Sequence, residues 1–206
     1  MEMLNIEDQL NKISEILIDC RQLVFDSHSI IVTKTNSKHI IVSRDKFLTC
    51  AGEVFWKLAI IELTKLYNDS DDLNIVSLFK HVRLHSQSQW GKLIAADELR
   101  QLNSVLANRD TKSRVKKLKE LRNQHFAHTN NPPDNNVYDI RFYFEDCIFL
   151  IEKAEYLVST LSYKLLKQPI LFKKYKGEDV DLFLDKHIEY IEIIGKYKLG
   201  KKISNN

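Results

Sequence analysis

Apolar residues recur at intervals of three and four over most of the chain, which is typical of amphipathic α-helices. The first stripe of this kind consists of Ile6, Leu10, Ile13, Leu17, Cys20 and Val24. Ser43 or Asp45 is a suitable cap for a second helix. The inward face predicted for that helix consists of Phe47, Ala51, Val54, Phe55, Leu58 and Ile61.

Five further helices follow from the same reasoning. We expect a short one over 75–85, one from about 92 to 107, and a basic one that starts near Thr111. The next helix is expected to be the longest, and its inner stripe is Phe144, Cys147, Ile148, Ile151, Ala154, Val158 and Leu161. After a "KQPILFKKYKG" connection, a last helix is expected over about 178–194.

The stretch "SIIVTKTNSKHIIVS" at 29–43 differs from its surroundings, because two β-branched runs flank a polar Thr35–Asn36–Ser37 turn. It predicts a short β-hairpin, with a long excursion between helices as the alternative. The predicted fold class is therefore all-α, an up-and-down helical bundle over 1–168 with a C-terminal helical extension and basic tail over 169–206.

Composition narrows the class of protein. The 206-residue chain has an ordinary 44% hydrophobic content and can bury a sizeable core. Cys20, Cys50 and Cys147 are isolated, so a disulfide framework or thiolate zinc site is not expected, and a reducing cytoplasm fits best. We expect no signal peptide, because the start "MEMLNIEDQLNK" has no basic region followed by an apolar run, and no membrane span.

Charge is unevenly distributed. Residues 109–122 contain seven Lys or Arg against two Asp or Glu, a local charge of +5 that exceeds the chain's net +3. Such a run forms either a solvated helix face or a stripe that binds phosphates. The RNA-contacting candidates within it are Arg114, Lys116, Lys117 and Lys119.

The basic run ends in "LRNQHFAHTNNPP" at 121–133. On an ideal helix Val115, Leu118, Arg122 and His125 share a face, which directs Arg122 toward the core. A guanidinium there costs several kcal/mol unless a carboxylate, carbonyl groups, an interface or a bound anion pairs with it. His128 lies about 240° around the helix from Arg122. The two converge only if the helix ends near Phe126, which the Pro-Pro stop favours.

"RNQHFAH" resembles the motif of the HEPN superfamily (higher-eukaryote and prokaryote nucleotide-binding domains), in which His follows Arg after four to six residues. Arg122 and His128 match it, and Asn123 matches the polar residue that often follows the Arg. "FWKLAIIELTKLYND" and "NIVSLFKHV" are similar to early helices of abortive-infection HEPN proteins. The resemblance covers about residues 5–165 and excludes 30–43 and the tail after 170.

The resemblance implies a metal-independent endoribonuclease of phage-defence or toxin type that needs no cofactor. A histidine would take the proton from a ribose 2′-hydroxyl, and Arg122 would stabilise charge on the attacked phosphate. His128 is the implied base, Asn123 would position groups, and His125 is an additional candidate because it shares a face with Arg122. The implied partners are RNA, a second copy with the site at the interface, and an antitoxin protein.

Structural interpretations stand beside this one. Arg122 could pair with Glu145 or Asp146, and the two histidines could cap carbonyls at a helix end. A second Arg/His match, Arg21 with His28, lacks the adjacent Asn and the basic approach, so we take it as coincidental. The alternative function is a binding or assembly module without turnover.

Other constellations are weaker. His81 and His85 have zinc-compatible spacing, but no third ligand is evident. Glu152 and Glu155 are expected on a polar helix face rather than in acid/base chemistry. The sequence contains no Gly-rich phosphate loop and no GxSxG, which disfavours kinase, ATPase and serine hydrolase chemistry.

Overall fold

The computed structural model describes residues 5–31, 43–71, 73–84, 94–126 and 140–203, without the side chains of 124–126, 140–143 and 195–203. Within these ranges the regular structure is helical, which confirms the all-α class. The helices are α1 (Ile6–Ile31), α2 (Lys46–Leu66), α3 (Ile75–Leu84), α4 (Ala96–Ala107), α5 (Arg109–Phe126), α6 (Ile140–Leu166) and α7 (Glu178–Ile203). At 27 residues, α6 is the longest of them, as predicted.

The chain divides into two compact units. Unit 1 comprises Met1–Arg21 and Lys57–Lys174, and unit 2 comprises Gln22–Trp56 and Tyr175–Asn206. Both α1 and α2 contribute residues to each unit. The division predicted from the sequence, a bundle over 1–168 with an extension over 169–206, stays a prediction.

The core of unit 1 is built from the apolar stripes of several helices. Every residue of the stripe predicted for α1 is buried, and all of them except Val24 belong to unit 1. On α6, Cys147, Ile151, Ala154, Val158 and Leu161 are buried as predicted, while Phe144 and Ile148 are half-buried. The stripe spacing therefore identifies the inward faces of these two helices correctly.

Polar side chains are paired where they enter this core. The Arg21 guanidinium makes a bidentate ion pair with Glu155, with Nε–Oε1 and Nη2–Oε2 distances of 2.8 and 2.7 Å. The Tyr67 hydroxyl donates to the Leu150 carbonyl at 2.7 Å, and burial raises the pKa of that hydroxyl. Such pairing is necessary because an unpaired buried polar group is strongly destabilising.

The inward face predicted for α2 is confirmed only in part, because Ala51, Phe55 and Ile61 are half-buried whereas the other three residues are exposed. Phe47 is 75% exposed, and Val54 and Leu58 are each 43% exposed. The residues that the helix buries lie on a different side and include Leu48, Ala59, Ile60, Leu63 and Thr64. Thr64 is accommodated because its hydroxyl donates to the Ile60 carbonyl at 2.6 Å. Apolar residues lie on two sides of this helix, so spacing alone did not distinguish the packed side.

The predicted hairpin falls mostly on residues 32–42, outside the described residues. Its first residues are not a strand, because α1 continues through Ile31. The chain re-enters the described ranges at residue 43, and Asp45 caps α2 as one of the two predicted caps. Its Oδ1 accepts the backbone N–H groups of Phe47 and Leu48 at 2.9 and 3.1 Å.

Unit 2 has a small apolar core. Ile30, Leu48 and Leu184 are buried in it, and the half-buried Ala51, Phe55 and Val180 pack against them. Gly52 permits a close approach, because a Cβ there would lie 2.9 Å from side-chain carbons of both Ile30 and Ile31. The Ser27 hydroxyl donates to the Gly52 carbonyl at 2.8 Å.

Polar contacts at the start of α7 add to this core. The Tyr175 hydroxyl donates to Asp26 Oδ1 at 2.5 Å. Gly177 has a φ of 83°, and a Cβ there would lie 2.5 Å from Ser29 Oγ. The Gly177 carbonyl accepts the first helical bond of α7 from Asp181 N–H at 2.9 Å. Glycine is therefore required at this helix start for both conformation and space.

Helix α7 begins at the predicted residue and extends nine residues beyond the predicted end at 194. Among its described side chains, only Leu184 is buried. None of the helices within the described ranges combines the length and apolar character that crossing a bilayer requires.

The three cysteines occupy different environments. Cys20 and Cys147 are buried, whereas Cys50 is exposed. Burial raises the pKa of the Cys147 thiol to about 12 and also raises that of Cys20. The two buried thiols thus behave as small apolar side chains in the core.

Candidate nucleic-acid interface on helix α5

Helix α5 carries most of the basic residues singled out in the sequence. It starts at Arg109, two residues before the predicted start, because Asn108 caps it: its Oδ1 accepts the Asp110 N–H at 2.8 Å. The helix packs against α4 and α6 within unit 1. Thr111, Leu118 and Leu121 form its buried side, with Val115 half-buried.

This buried side corrects the expected orientation of Arg122. We predicted that Arg122 continues the stripe of Val115 and Leu118 toward the core, but Arg122 is exposed and Leu121 is buried instead. Leu121 follows Leu118 by three residues, and Arg122 follows it by four. Burying Leu121 rather than Arg122 avoids desolvating a guanidinium. The solvent-facing Arg122 needs no carboxylate from the core.

Asp146, one of the two carboxylates proposed for Arg122, is paired with Arg114. The Arg114 Nη1 atom binds Asp146 Oδ1, and the guanidinium carbon lies 4.4 Å from the centroid of the Phe149 ring. Glu145, the other proposed carboxylate, is exposed. Arg114 therefore joins α5 to α6.

Lys117 lies on the same side as Arg114. It borders a cavity of about 10 Å³, which Asp146 and Cys147 also line. Asp146 Oδ2 is buried and has no hydrogen-bond partner in the part of the chain that the structure describes.

The solvent side of α5 forms a separate basic stripe, which we define as Arg109, Lys112, Lys116 and Lys119. These residues recur at intervals of three and four, so they lie within one sector of the helix over three turns. Arg109, Lys112 and Lys116 are exposed and Lys119 is half-buried. Lys116 approaches Glu120 at 3.7 Å, an exposed pair that leaves the stripe strongly positive.

Sequence reasoning included Lys116 and Lys119 but missed Arg109 and Lys112. The missing signal was the helical spacing of the cations themselves, which separates this stripe from Arg114 and Lys117. Asn123 continues the sector four residues after Lys119, and it is exposed like its neighbour Arg122. The side chain of His125 and all of His128 lie outside the described residues, so their convergence with Arg122 stays a prediction.

The other residues considered in the sequence analysis contact neighbouring side chains, are exposed, or lie outside the described residues. Arg21, from the second Arg/His match, is bound to Glu155. Glu155 is therefore an ion-pair partner rather than part of a polar face, whereas Glu152 is exposed. His81 Nδ1 lies 3.1 Å from Gln9 Oε1, and His85 is outside the described residues. No group of three or more metal-binding side chains occurs among the described residues.

A larger cavity of about 680 Å³ lies elsewhere in unit 1, between α3 and α4. Its apolar lining includes Val76, Phe79, Val82, Ile94 and Leu99. Three cationic side chains, Lys80, Arg83 and Arg100, also border it. An apolar lining with nearby cations is suited to a ligand that has both an apolar part and an anionic group.

Comparison of the chain with family profiles, with curated proteins and with solved structures gives no match.

Proposed function

We propose that this protein is a HEPN-type, metal-independent endoribonuclease of phage-defence or toxin type. One observation carries the proposal: Arg122 and Asn123 are exposed at the end of α5, directly after the solvent-facing basic stripe. A guanidinium in this position is accessible to a phosphodiester, whereas a core-facing one would not be.

The basic stripe supplies the binding part of the proposal. Its four cations span eleven residues, 109–119, or about 15 Å at the helical rise per residue. Cations at this spacing neutralise successive phosphates of a single strand, and binding is strengthened by release of counterions. Lys116 and Lys119 keep the role expected for them, Arg109 and Lys112 join them, and Arg114 acts through packing.

In the proposed reaction each residue of the Arg/His motif has a role. His128 removes the proton from the ribose 2′-hydroxyl, whose oxygen attacks the adjacent phosphorus and expels the 5′-oxygen of the next nucleotide. Arg122 stabilises negative charge on the nonbridging oxygens, and Asn123 orients the phosphate. His125 is the alternative base. A second copy of the chain would supply the acid that protonates the leaving oxygen. An antitoxin protein would inhibit the ribonuclease activity.

Incubation of the purified protein with mixed RNAs in EDTA tests the activity. We expect cuts that leave a 2′,3′-cyclic phosphate, loss of cutting in His128→Ala, and a loss of at least about a hundredfold in Arg122→Ala, comparable to removal of one oxyanion-stabilising group. Arg44→Ala is a matched control, because Arg44 is an exposed arginine outside α5. Full activity of both motif variants would refute the proposal.

Binding is tested separately by titrating single-stranded RNA at several salt concentrations. Replacing Lys112, Lys116 and Lys119 with alanine should reduce the slope of log affinity against log salt by about 0.7 for each lost phosphate contact. Arg114→Ala should instead lower the melting temperature, because it removes the partner of Asp146. An unchanged slope in the triple variant would exclude the stripe as the RNA contact.

A second candidate function is nucleotide binding without turnover, favoured by the cavity between α3 and α4. The apolar side chains would accept a base, and Lys80 and Arg83 would neutralise phosphates. Calorimetric titration with mononucleotides should give binding that Arg83→Ala weakens at least tenfold. Binding of this kind together with inertness toward RNA would select this function over cleavage.

A further inference from the structure

Helix α7 exposes large apolar side chains along one side. Leu182, Phe183, Tyr190 and Ile193 are between 53% and 61% exposed. At about 100° per residue these four positions fall within a sector of roughly 100°, turned away from Leu184, which packs in the core of unit 2. An exposed apolar stripe of this length is typical of an interaction surface.

Acidic side chains follow one edge of this apolar stripe. They recur at intervals of three and four and comprise Glu178, Asp181, Asp185, Glu189 and Glu192. Edges of this kind flank the apolar seam in paired helices, where their charges set the orientation of the partner. The acidic edge therefore restricts which partner can pack on the apolar stripe of α7.

Charge is also segregated along the length of α7. Residues 178–194 contain six acidic residues and one lysine, a net −5, whereas 195–203 contain four lysines and no acidic residue. A parallel pair of α7 helices would place like charges together. An antiparallel pair would place each acidic half beside a basic half and would also oppose the helix dipoles.

We propose that α7 is a homodimerisation helix, which pairs antiparallel with α7 of a second copy of this chain. With the two-fold axis near Tyr190, residues 195–203 of one copy oppose residues 177–185 of the other. The latter segment contains four acidic residues and no basic one, so its −4 is matched by +4. Tyr190 and Ile193 of the two copies meet between these charged ends, while Leu182 and Phe183 lie within the acidic end.

A charge-swap experiment on the full chain tests this arrangement by its mass in solution. The unaltered chain should sediment at twice 24.2 kDa. Asp181→Lys/Asp185→Lys brings the charge of 177–185 from −4 to zero, and Lys198→Glu/Lys201→Glu brings that of 195–203 from +4 to zero. Each variant alone then has no charged end opposite one of the other sign and should dissociate at least tenfold more readily. An equimolar mixture regains one end at which +4 opposes −4 and should restore the dimer.

The mixture is the decisive sample, because damage to folding would not be repaired by mixing. A monomeric parent chain, or variants that each dimerise as tightly as the parent, would overturn the proposal. So would binding of the parent monomer to anionic vesicles through α7, which the acidic edge disfavours because anionic lipids attract basic segments. Circular dichroism checks that both variants keep their helix content.

Crosslinking tests the register. In a Cys50→Ser background, which removes the exposed thiol, Tyr190→Cys should form a disulfide between copies because it lies at the proposed axis. Leu182→Cys lies eight residues from the axis and should not crosslink to itself. The reverse outcome would overturn the antiparallel register. The inference does not depend on the ribonuclease proposal, since these measurements contain no RNA.

Discussion

Helices α1 and α7 have the same length, 26 residues, but their side chains are buried to very different extents. On α1, Leu10, Ile13, Leu17, Cys20 and Val24 are all completely buried. On α7, Leu184 alone is buried among the described side chains. Both helices contain many apolar residues, so apolar content does not explain the difference.

The difference lies in periodicity. The apolar residues of α1 form a single stripe, so packing on one side buries nearly all of them. Those of α7 lie on two sides of the helix, and packing through Val180 and Leu184 leaves Leu182 and Tyr190 in solvent. A helix like α1 is stabilised within its own chain, whereas a helix like α7 gains most from a neighbour. Substitutions in the two helices can test this contrast.

The largest effect is expected from Glu155→Ala, which leaves the Arg21 guanidinium of α1 buried without its bidentate partner. Loss of one partner of a buried ion pair lowers the free energy of unfolding by about 3–5 kcal/mol. Asp97→Ala is the matched control, because the Asp97–Arg100 pair is largely exposed, and it should change stability by less than about 1 kcal/mol. Equal effects in urea unfolding would contradict this account of the Arg21 pair.

Leu17→Ala should follow, with a loss of about 2–5 kcal/mol from the cavity left in the core. The matching change on α7 is Leu182→Ala, at a position that is 61% exposed. At concentrations where the chain is monomeric, that change should stay within about 0.5 kcal/mol. Comparable losses in chemical denaturation would remove the contrast between the two helices.

Gly177→Ala tests the attachment of α7. The φ of 83° disfavours any residue with a Cβ, and the added methyl would lie 2.5 Å from Ser29 Oγ, so we expect a loss of roughly 1–3 kcal/mol. In a Ser29→Ala background the steric part should shrink while the conformational part persists. A gain in thermal stability, which Gly→Ala produces where the backbone conformation suits alanine, would show that the conformation is not strained.

The smallest effect concerns Asp26 in the second half of α1. Burial raises the pKa of this carboxyl above its ordinary 3.8, although the hydrogen bond from Tyr175 opposes the shift. The folded chain therefore keeps the Asp26 proton to higher pH than the unfolded chain does. Stability falls as the pH rises from 3.8 through the folded pKa, because the unfolded state loses its proton first.

Asp26→Asn removes this titration. Its stability relative to the parent should therefore rise across the same pH window and then level off above it, as measured by urea unfolding at successive pH values. A difference that declines with rising pH would show that the carboxylate form is favoured in the folded protein.

The sequence predicts faces well where one stripe dominates and poorly where two sides compete. The stripe of α1 is confirmed, because no other set of positions on that helix is equally apolar. On α2 we selected Phe47 and Leu58, but the structure buries Leu48 and Ala59. Periodicity identifies an apolar side, and only the neighbouring helices decide which of two sides becomes the core.

The candidate site shows the same limit at the scale of one residue. The spacing from Leu118 allows either Leu121 or Arg122 to continue the stripe. Leu121 is the buried one, because desolvating the Arg122 guanidinium would cost more free energy. Ion pairs between distant residues are harder still. Arg21 and Glu155 are 134 residues apart, and nothing local in the chain marks them as partners. The basic stripe of α5, by contrast, follows from the spacing of its cations.

Because the three cysteines differ in exposure, the rates at which their thiols are chemically labelled report on transient opening of unit 1. A maleimide should label Cys50 at once, without any engineered residue. Cys20 and Cys147 should be modified only when unit 1 opens, because their thiols are sealed and the pKa of Cys147 is raised to about 12. The ratio of slow to fast labelling then measures how often the interior of unit 1 meets water under native conditions.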